Sequence, residues 1–165
     1  MKIAFVANEG GIMKFLKRAA AVGAATALLS LAGTSQAGAT TYTGADCSGA
    51  YPCLVFYYNA NFKGSAANFV GYGKINDLAG YTFATSGSGK GLSVKNHAAS
   101  SFFIAKTADE TAVIYYNSNQ GGACDELWAQ GSKQAQANQL HNTYNNNASL
   151  KIFDGSQASG ICYQF

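Results

Sequence analysis

Arginine is almost missing from this chain. Of 165 residues one is Arg, at position 18, and in residues 40–165 the 7 Lys are balanced by 7 Asp and Glu. A nucleic-acid surface needs clustered cations, with guanidinium forks for bidentate phosphate contacts, so nucleic acid is not expected as a partner. The same balance argues against a polybasic membrane patch. The formal charge of +3 belongs to the front, where Lys2, Lys14, Lys17 and Arg18 face only Glu9. Proline is as scarce, with a single residue beside 19 Gly, which excludes collagen and rigid Pro-rich segments. There is no Gly-x-Ser-x-Gly elbow. The adjacent acids Asp109-Glu110 and Asp125-Glu126 would point to opposite faces of a strand, so an enzyme is not expected. The length suits one domain.

What is present at the front is an export signal. Lys14, Lys17 and Arg18 form a charged start, and Ala19 to Ala32 is an apolar run broken by Gly23, Thr26 and Ser30. The competing reading is a transmembrane anchor, but the run falls short of the about 20 apolar residues that a spanning helix takes. Cleavage after Ala37 or Ala39 is expected. Met13, directly before Lys-Phe-Leu-Lys-Arg, is a candidate translation start. Residues 1–39 are thus assigned to the signal and residues 40–165 to a secreted, extracellular domain, monomeric and off the membrane.

Cys47, Cys53, Cys124 and Cys162 all lie in the exported part, where an even number favours disulfides. Three connectivities are open. The expected one joins Cys47 to Cys53, closing a small turn before the first strand, and Cys124 to Cys162, stapling the last strand to an interior loop. Such a staple contributes about 2–4 kcal/mol. Zinc is disfavoured because no Cys-x2-Cys pair exists and His97 and His141 are far apart in sequence.

The chain also repeats itself. Leu54-Val55-Phe56-Tyr57-Tyr58-Asn59-Ala60-Asn61-Phe62-Lys63-Gly64 recurs 58 residues later as Ala112-Val113-Ile114-Tyr115-Tyr116-Asn117-Ser118-Asn119-Gln120-Gly121-Gly122. Each copy is followed by a second shared element, Asn96-His97-Ala98-Ala99-Ser100-Ser101 and Asn145-Asn146-Asn147-Ala148-Ser149-Leu150. Two copies are too few for a solenoid and suit one pseudo-symmetric domain.

Leu54–Tyr58, Phe102–Ala105, Ala112–Tyr116, Leu150–Phe153 and Ile161–Phe165 are short β-branched and aromatic runs between turn residues, which predicts strands and a β-sandwich. Lys133 to Leu140 is the one stretch that suggests a short helix. Ser86–Gly91 is read as a mobile surface loop rather than a phosphate cradle, since Ala84 takes the first Gly position of such a motif. Tyr57 and Tyr115 each precede a Gly by seven residues, as in a strand that folds back through a tight hairpin under an aromatic ring. Ser100 and Ser149 are placed to bond the backbone of those hairpins.

An aromatic residue, a Gly at fixed spacing and a later Ser, present twice, resemble the βγ-crystallin Greek key. With the export signal, the Cys-x5-Cys start and the Asn-x-Asn-x-x-Gly repeats, the chain is similar to the bacterial peptidase inhibitor family I36, the Streptomyces metalloproteinase inhibitor type. The resemblance implies an all-β, double Greek-key sandwich, with one key over about residues 47–105 and the other over about 112–165. It also implies inhibition of a secreted metallo- or serine peptidase as the working function. A calcium-binding structural or surface-binding module and a secreted antimicrobial or toxin are the alternatives. The stretch corresponding to the family's reactive loop is Gly121, Gly122, Ala123, Cys124, Asp125, Glu126 and Leu127. It has no second Cys close behind Cys124, and its other reading is an ordinary loop between strands. For calcium the implied set is Asn96, Ser100 and Ser101 with Asn145, Asn146 and Ser149, departing from the motif at His97 and Leu150. The other reading is Asn and Ser satisfying backbone at a strand bend. No cofactor is required; calcium is the one ion the resemblance brings in.

Overall fold

The two repeated Val-x-Tyr-Tyr-Asn stretches are the middle strands of two sheets. The structure, a computed structural model, describes residues 40–44, 47, 51–156 and 161–165; the export signal expected over residues 1–39 lies outside them. In chain order the strands are β1 (Thr41–Gly44), β2 (Cys53–Asn59), β3 (Lys63–Val70), β4 (Gly73–Ile75), β5 (Ser100–Ile104), β6 (Glu110–Asn117), β7 (Gly121–Trp128), β8 (Gln134–Ala137), β9 (Ser149–Asp154) and β10 (Cys162–Gln164). One sheet has the order β1-β3-β2-β5-β8 and the other β10-β7-β6-β9-β4. Among the described residues there is no α-helix, only a 3-10 turn at Ser118–Gln120.

The connectivity is a double Greek key. β2 to β5 form one key and β6 to β9 the other, and each key sends its third strand to the opposite sheet: β4 pairs with β9 and β8 with β5. Neither key is therefore complete without the other. Period-2 alternation sets which residues meet. Leu54 and Phe56 of β2 and Ala112 and Ile114 of β6 enter the shared core with Phe69, Phe103, Leu127, Leu150 and Ile152. Each fully buried Leu, Ile or Phe contributes about 1.5–3 kcal/mol. The intervening residues form a small cluster on each outer face. Cys53, Val55 and Ala66 make one, and Val113, Tyr115 and Cys124 the other.

The pairing Cys47–Cys53 and Cys124–Cys162 is the one found. Each bridge lies in one of those outer clusters and pins a strand that adds to a key: β1 pairs antiparallel with β3, and β10 parallel with β7. Cys124 lies within β7, so the second bridge joins two strands rather than a strand to a loop.

Two local expectations change. Lys133 to Leu140 holds strand β8, not a helix. Gln134 and Gln136 are exposed while Ala135 and Ala137 are buried, an alternation that lets the segment extend the first sheet at β5. The Gly-rich stretch Ser86–Gly91 is a surface loop, as expected, but its backbone is held to neighbouring segments. Ser65 N–H donates to Ser88 O at 2.8 Å, and Gly91 N–H to Phe83 O at 2.8 Å.

Candidate functional site

The hairpins that close β2–β3 and β6–β7 are built alike. Asn61, Phe62 and Gly64 in one, and Asn119, Gln120 and Gly122 in the other, have φ between 56° and 80°. This left-handed backbone leaves carbonyls and N–H groups without ladder partners. Ser100 and Ser149 supply them. Ser100 Oγ donates to Asn59 O at 2.7 Å and accepts from Phe62 N–H at 3.0 Å. Ser149 Oγ donates to Asn117 O at 2.7 Å and accepts from Gln120 N–H at 3.0 Å. Tyr57 packs edge-on against Phe62 in the first copy. In the second, Gln120 replaces that ring, and its amide donates to Ile75 O at 3.0 Å.

The second shared elements run past one another at the junction of the keys. Asn96 N–H donates to Asn147 O and Asn145 N–H to Ala98 O, at 2.8 and 2.9 Å. The buried Asn147 side chain bridges both keys, accepting from Ala98 N–H at 3.0 Å and donating to Val94 O at 2.8 Å. Asn96 and Asn145 have φ of 63° and 52°, a conformation Asn tolerates better than most residues.

On either side of this junction lies a depression of about 260–270 Å³. Tyr58, Asn59, Asn96, His97, Tyr144 and Asn145 line the first. Lys95, Asn96, Tyr116, Asn117, Ser118 and Asn146 line the second. The pseudo-twofold is broken by charge. Lys95 Nζ donates to Ser118 Oγ at 3.2 Å and pairs with Asp77 Oδ1 at 2.9 Å, so an ammonium sits in the second depression. Asp77 is held below the ordinary carboxylate range by the Ala79 N–H it accepts from, and next by Lys95.

These depressions gather three of the six residues implied for calcium, Asn96, Asn145 and Asn146, and their donor chemistry does not fit that ion. Calcium takes six to eight oxygens with carboxylates among them. No carboxylate lines either depression. Among the described residues no three His, Cys, Asp or Glu side chains converge. Ser100 and Ser149 are turned into the hairpins, and Ser101 Oγ donates to Val55 O at 2.8 Å. Asn96, Asn145 and Asn146 remain at the rims, beside a fixed ammonium on one side.

Gly121 to Leu127 is not a loop. It is the body of β7, paired with β6 on one side and β10 on the other. Gly122 and Ala123 are exposed, whereas Cys124, Asp125, Glu126 and Leu127 are buried. Asp125 accepts from the N–H groups of His141, Asn142 and Thr143 at 3.1, 2.9 and 2.9 Å and from the Thr143 hydroxyl at 2.6 Å. Its carboxylate thereby shapes the approach to the inter-key junction. A further depression of about 260 Å³ adjoins that segment, lined by Gln139, Leu140, His141, Tyr144, Tyr163 and Phe165. Nothing in the repeat pattern points to it, because Tyr163 and Phe165 lie outside both copies. The only advance signal is the Tyr- and amide-rich composition around Tyr144.

No family model matches the chain, and no curated protein matches it. The chain is similar to several solved structures, βγ-crystallin domains among them. The N-terminal domain of protein S is 19% identical, covering 62% of this chain and 96% of its own, with a TM-score of 0.43. A βγ-crystallin domain from Flavobacterium johnsoniae is 16% identical, covering 64% and 98%, at 0.44. A structure concerned with the evolution of the eye lens βγ-crystallin domain fold is 15% identical, covering 72% and 100%, at 0.48.

Proposed function

We propose that the chain is a secreted proteinaceous peptidase inhibitor of the I36 type, working as a rigid body without catalysis of its own. The observation that supports this most is the fastening of both outer strands. β1 and β10 are laid on equivalent strands of the two keys and each is held beside a disulfide. Peptidases cut segments that can open into their clefts, so a body stapled at both of these strands can meet a peptidase and persist. A surface that is already ordered also loses little entropy on binding.

The contact surface is assigned to the turn between β7 and β8 rather than to β7 itself. Gln130 to Gln134 is an exposed run leading into β8, which is the edge of its sheet. An edge strand offers unpaired backbone groups of the kind that an extended-substrate cleft recognises. The test titrates purified residues 40–165 against a thermolysin-like and a subtilisin-like peptidase, with and without calcium. A dose-dependent loss of peptidase activity with intact inhibitor recovered is expected. A flat response across both classes overturns the proposal.

A further inference from the structure

Two of the surface depressions meet at one residue. Tyr144 lines both the hollow beside the first hairpin, with Tyr58, Asn59, Asn96, His97 and Asn145, and the hollow beside β10, with Gln139, His141, Tyr163 and Phe165. The two histidines of the chain both lie here, and no Lys, Asp or Glu lines either hollow. A surface drawn from a domain with equal numbers of acids and lysines is, at this place, free of both.

The composition selects the solute. An ionic ligand would meet no Lys, Asp or Glu side chain in the lining, and an apolar one would cover amides and imidazoles that then lose water without replacement. Four aromatic rings, Tyr58, Tyr144, Tyr163 and Phe165, offer apolar area, and Tyr144 and Tyr163 are 39% and 44% exposed. The side-chain amides of Asn96 and Asn145 make no hydrogen bond to other described residues, and each can donate and accept at once. Their backbones are already fixed by the inter-key bonds. The imidazoles are oriented too. His97 Nδ1 lies 2.8 Å from Lys95 O, which can only accept, so Nδ1 donates there and Nε2 is left for a second partner. His141 Nδ1 is 3.0 Å from Asn142 Oδ1, and its ring stacks on Tyr163 with centroids 4.1 Å apart. Pre-placed rings, amides that both give and take hydrogen bonds, and a lining without Lys, Asp or Glu match a solute with an apolar face and a rim of hydroxyls.

We propose that this paired hollow binds a neutral oligosaccharide, with neighbouring sugar units on the two sides of Tyr144. The site shares no lining residue with Gln130–Gln134, and it would hold whether or not the chain inhibits a peptidase. It would place the protein on a polysaccharide surface outside the cell.

The test is a binding titration of residues 40–165 with short neutral oligomers of glucose, mannose and N-acetylglucosamine, at low and high salt. Saturable binding to at least one of the three is expected, unchanged by salt, because no ion pair is formed. Tyr144→Ala should weaken it about ten-fold or more, while Tyr51→Ala, at an exposed tyrosine that lines neither hollow, should not. In the unmodified protein the imidazole Cε1–H resonances of both histidines should shift as sugar is added, a readout that does not depend on any variant folding. Absence of saturable binding to all three oligomers overturns the proposal, as does binding that leaves both histidine resonances unmoved or that high salt abolishes.

Discussion

Gly89 lies directly beneath the Tyr58 ring. A Cβ built on Gly89 would fall 2.2 Å from Tyr58 Cγ and 2.7 Å from its Cβ, with φ at +87°. The ring that borders the first hairpin hollow is thus seated on bare backbone, and it also meets Phe83 edge-on at 5.8 Å. Gly91, two residues on, has a similar φ of +83° and nothing within 4 Å of such a Cβ.

The pair makes an internally controlled prediction. Gly91→Ala carries only the backbone cost of a left-handed residue, about 1 kcal/mol. Gly89→Ala carries that cost and also displaces the root of an aromatic ring, for a total of about 3 kcal/mol or more. Urea unfolding of the two variants should separate them by at least the difference. Equal losses would mean that the Tyr58 ring is not seated on Gly89.

Asp125 has no counterpart in the first repeat, where Ala67 takes its register, and it yields the second prediction. Three backbone N–H groups and one hydroxyl converge on a carboxylate that is fully buried. Asp125→Asn keeps the shape but turns an NH2 toward donors, so it should lower the unfolding free energy by about 2–4 kcal/mol. Hydrogen exchange should quicken at His141, Asn142 and Thr143 before it does in β2. Protection unchanged at those three amides would remove the carboxylate from this role.

How far these features could be read in advance depended on where each residue finds its partner. β2, β5, β6, β9 and β10 carry runs of Val, Ile, Phe and Tyr whose own composition predicts a strand. Ser100 and Ser149 were legible as hairpin partners because the repeat placed each after its own Tyr and Gly. β7 and β8 were not legible. Asp125 and Glu126 are charged residues that composition assigns to water, and the groups that satisfy them, Thr143 and Gln164, come from remote parts of the chain. β8 is Gln-Ala-Gln-Ala, good helix formers whose strand state is imposed by the edge of β5. The aromatic hollow around Tyr144 escaped for the same reason, since tertiary packing alone brings Tyr58 and Tyr163 to its two sides.

The two disulfides should differ in weight. Cys124 and Cys162 are separated by 38 positions and Cys47 and Cys53 by 6. Loop-closure entropy in the unfolded chain then gives about 4 kcal/mol for the first and about 2 kcal/mol for the second. Paired Cys→Ala replacement at 124 and 162 should therefore lower the melting temperature more than replacement at 47 and 53. The reverse order would show that the turn before β2, rather than the fastening of β10, limits stability.

Alkaline pH probes the join between the keys at Tyr72 and Glu110. The Tyr72 hydroxyl donates to Glu110 Oε1, and the same carboxylate accepts from Lys106 N–H at 2.7 Å and Thr107 N–H at 3.1 Å. Burial first, then the hydrogen bond and charge of Glu110, push the phenol up to about 12 from its ordinary 10.0. The fold thus favours the neutral phenol. Its contribution is complete below the unfolded value of about 10 and is lost as pH climbs through the folded value. Melting temperature should fall between about pH 10 and about pH 12, with Tyr57, raised by burial, adding to the slope. Tyr72→Phe should start from a lower stability at neutral pH, because Glu110 loses a donor, and then fall less steeply across that window. A variant that tracks the parent protein through the whole alkaline range would mean that the phenol ionises as freely in the folded chain as in the unfolded one.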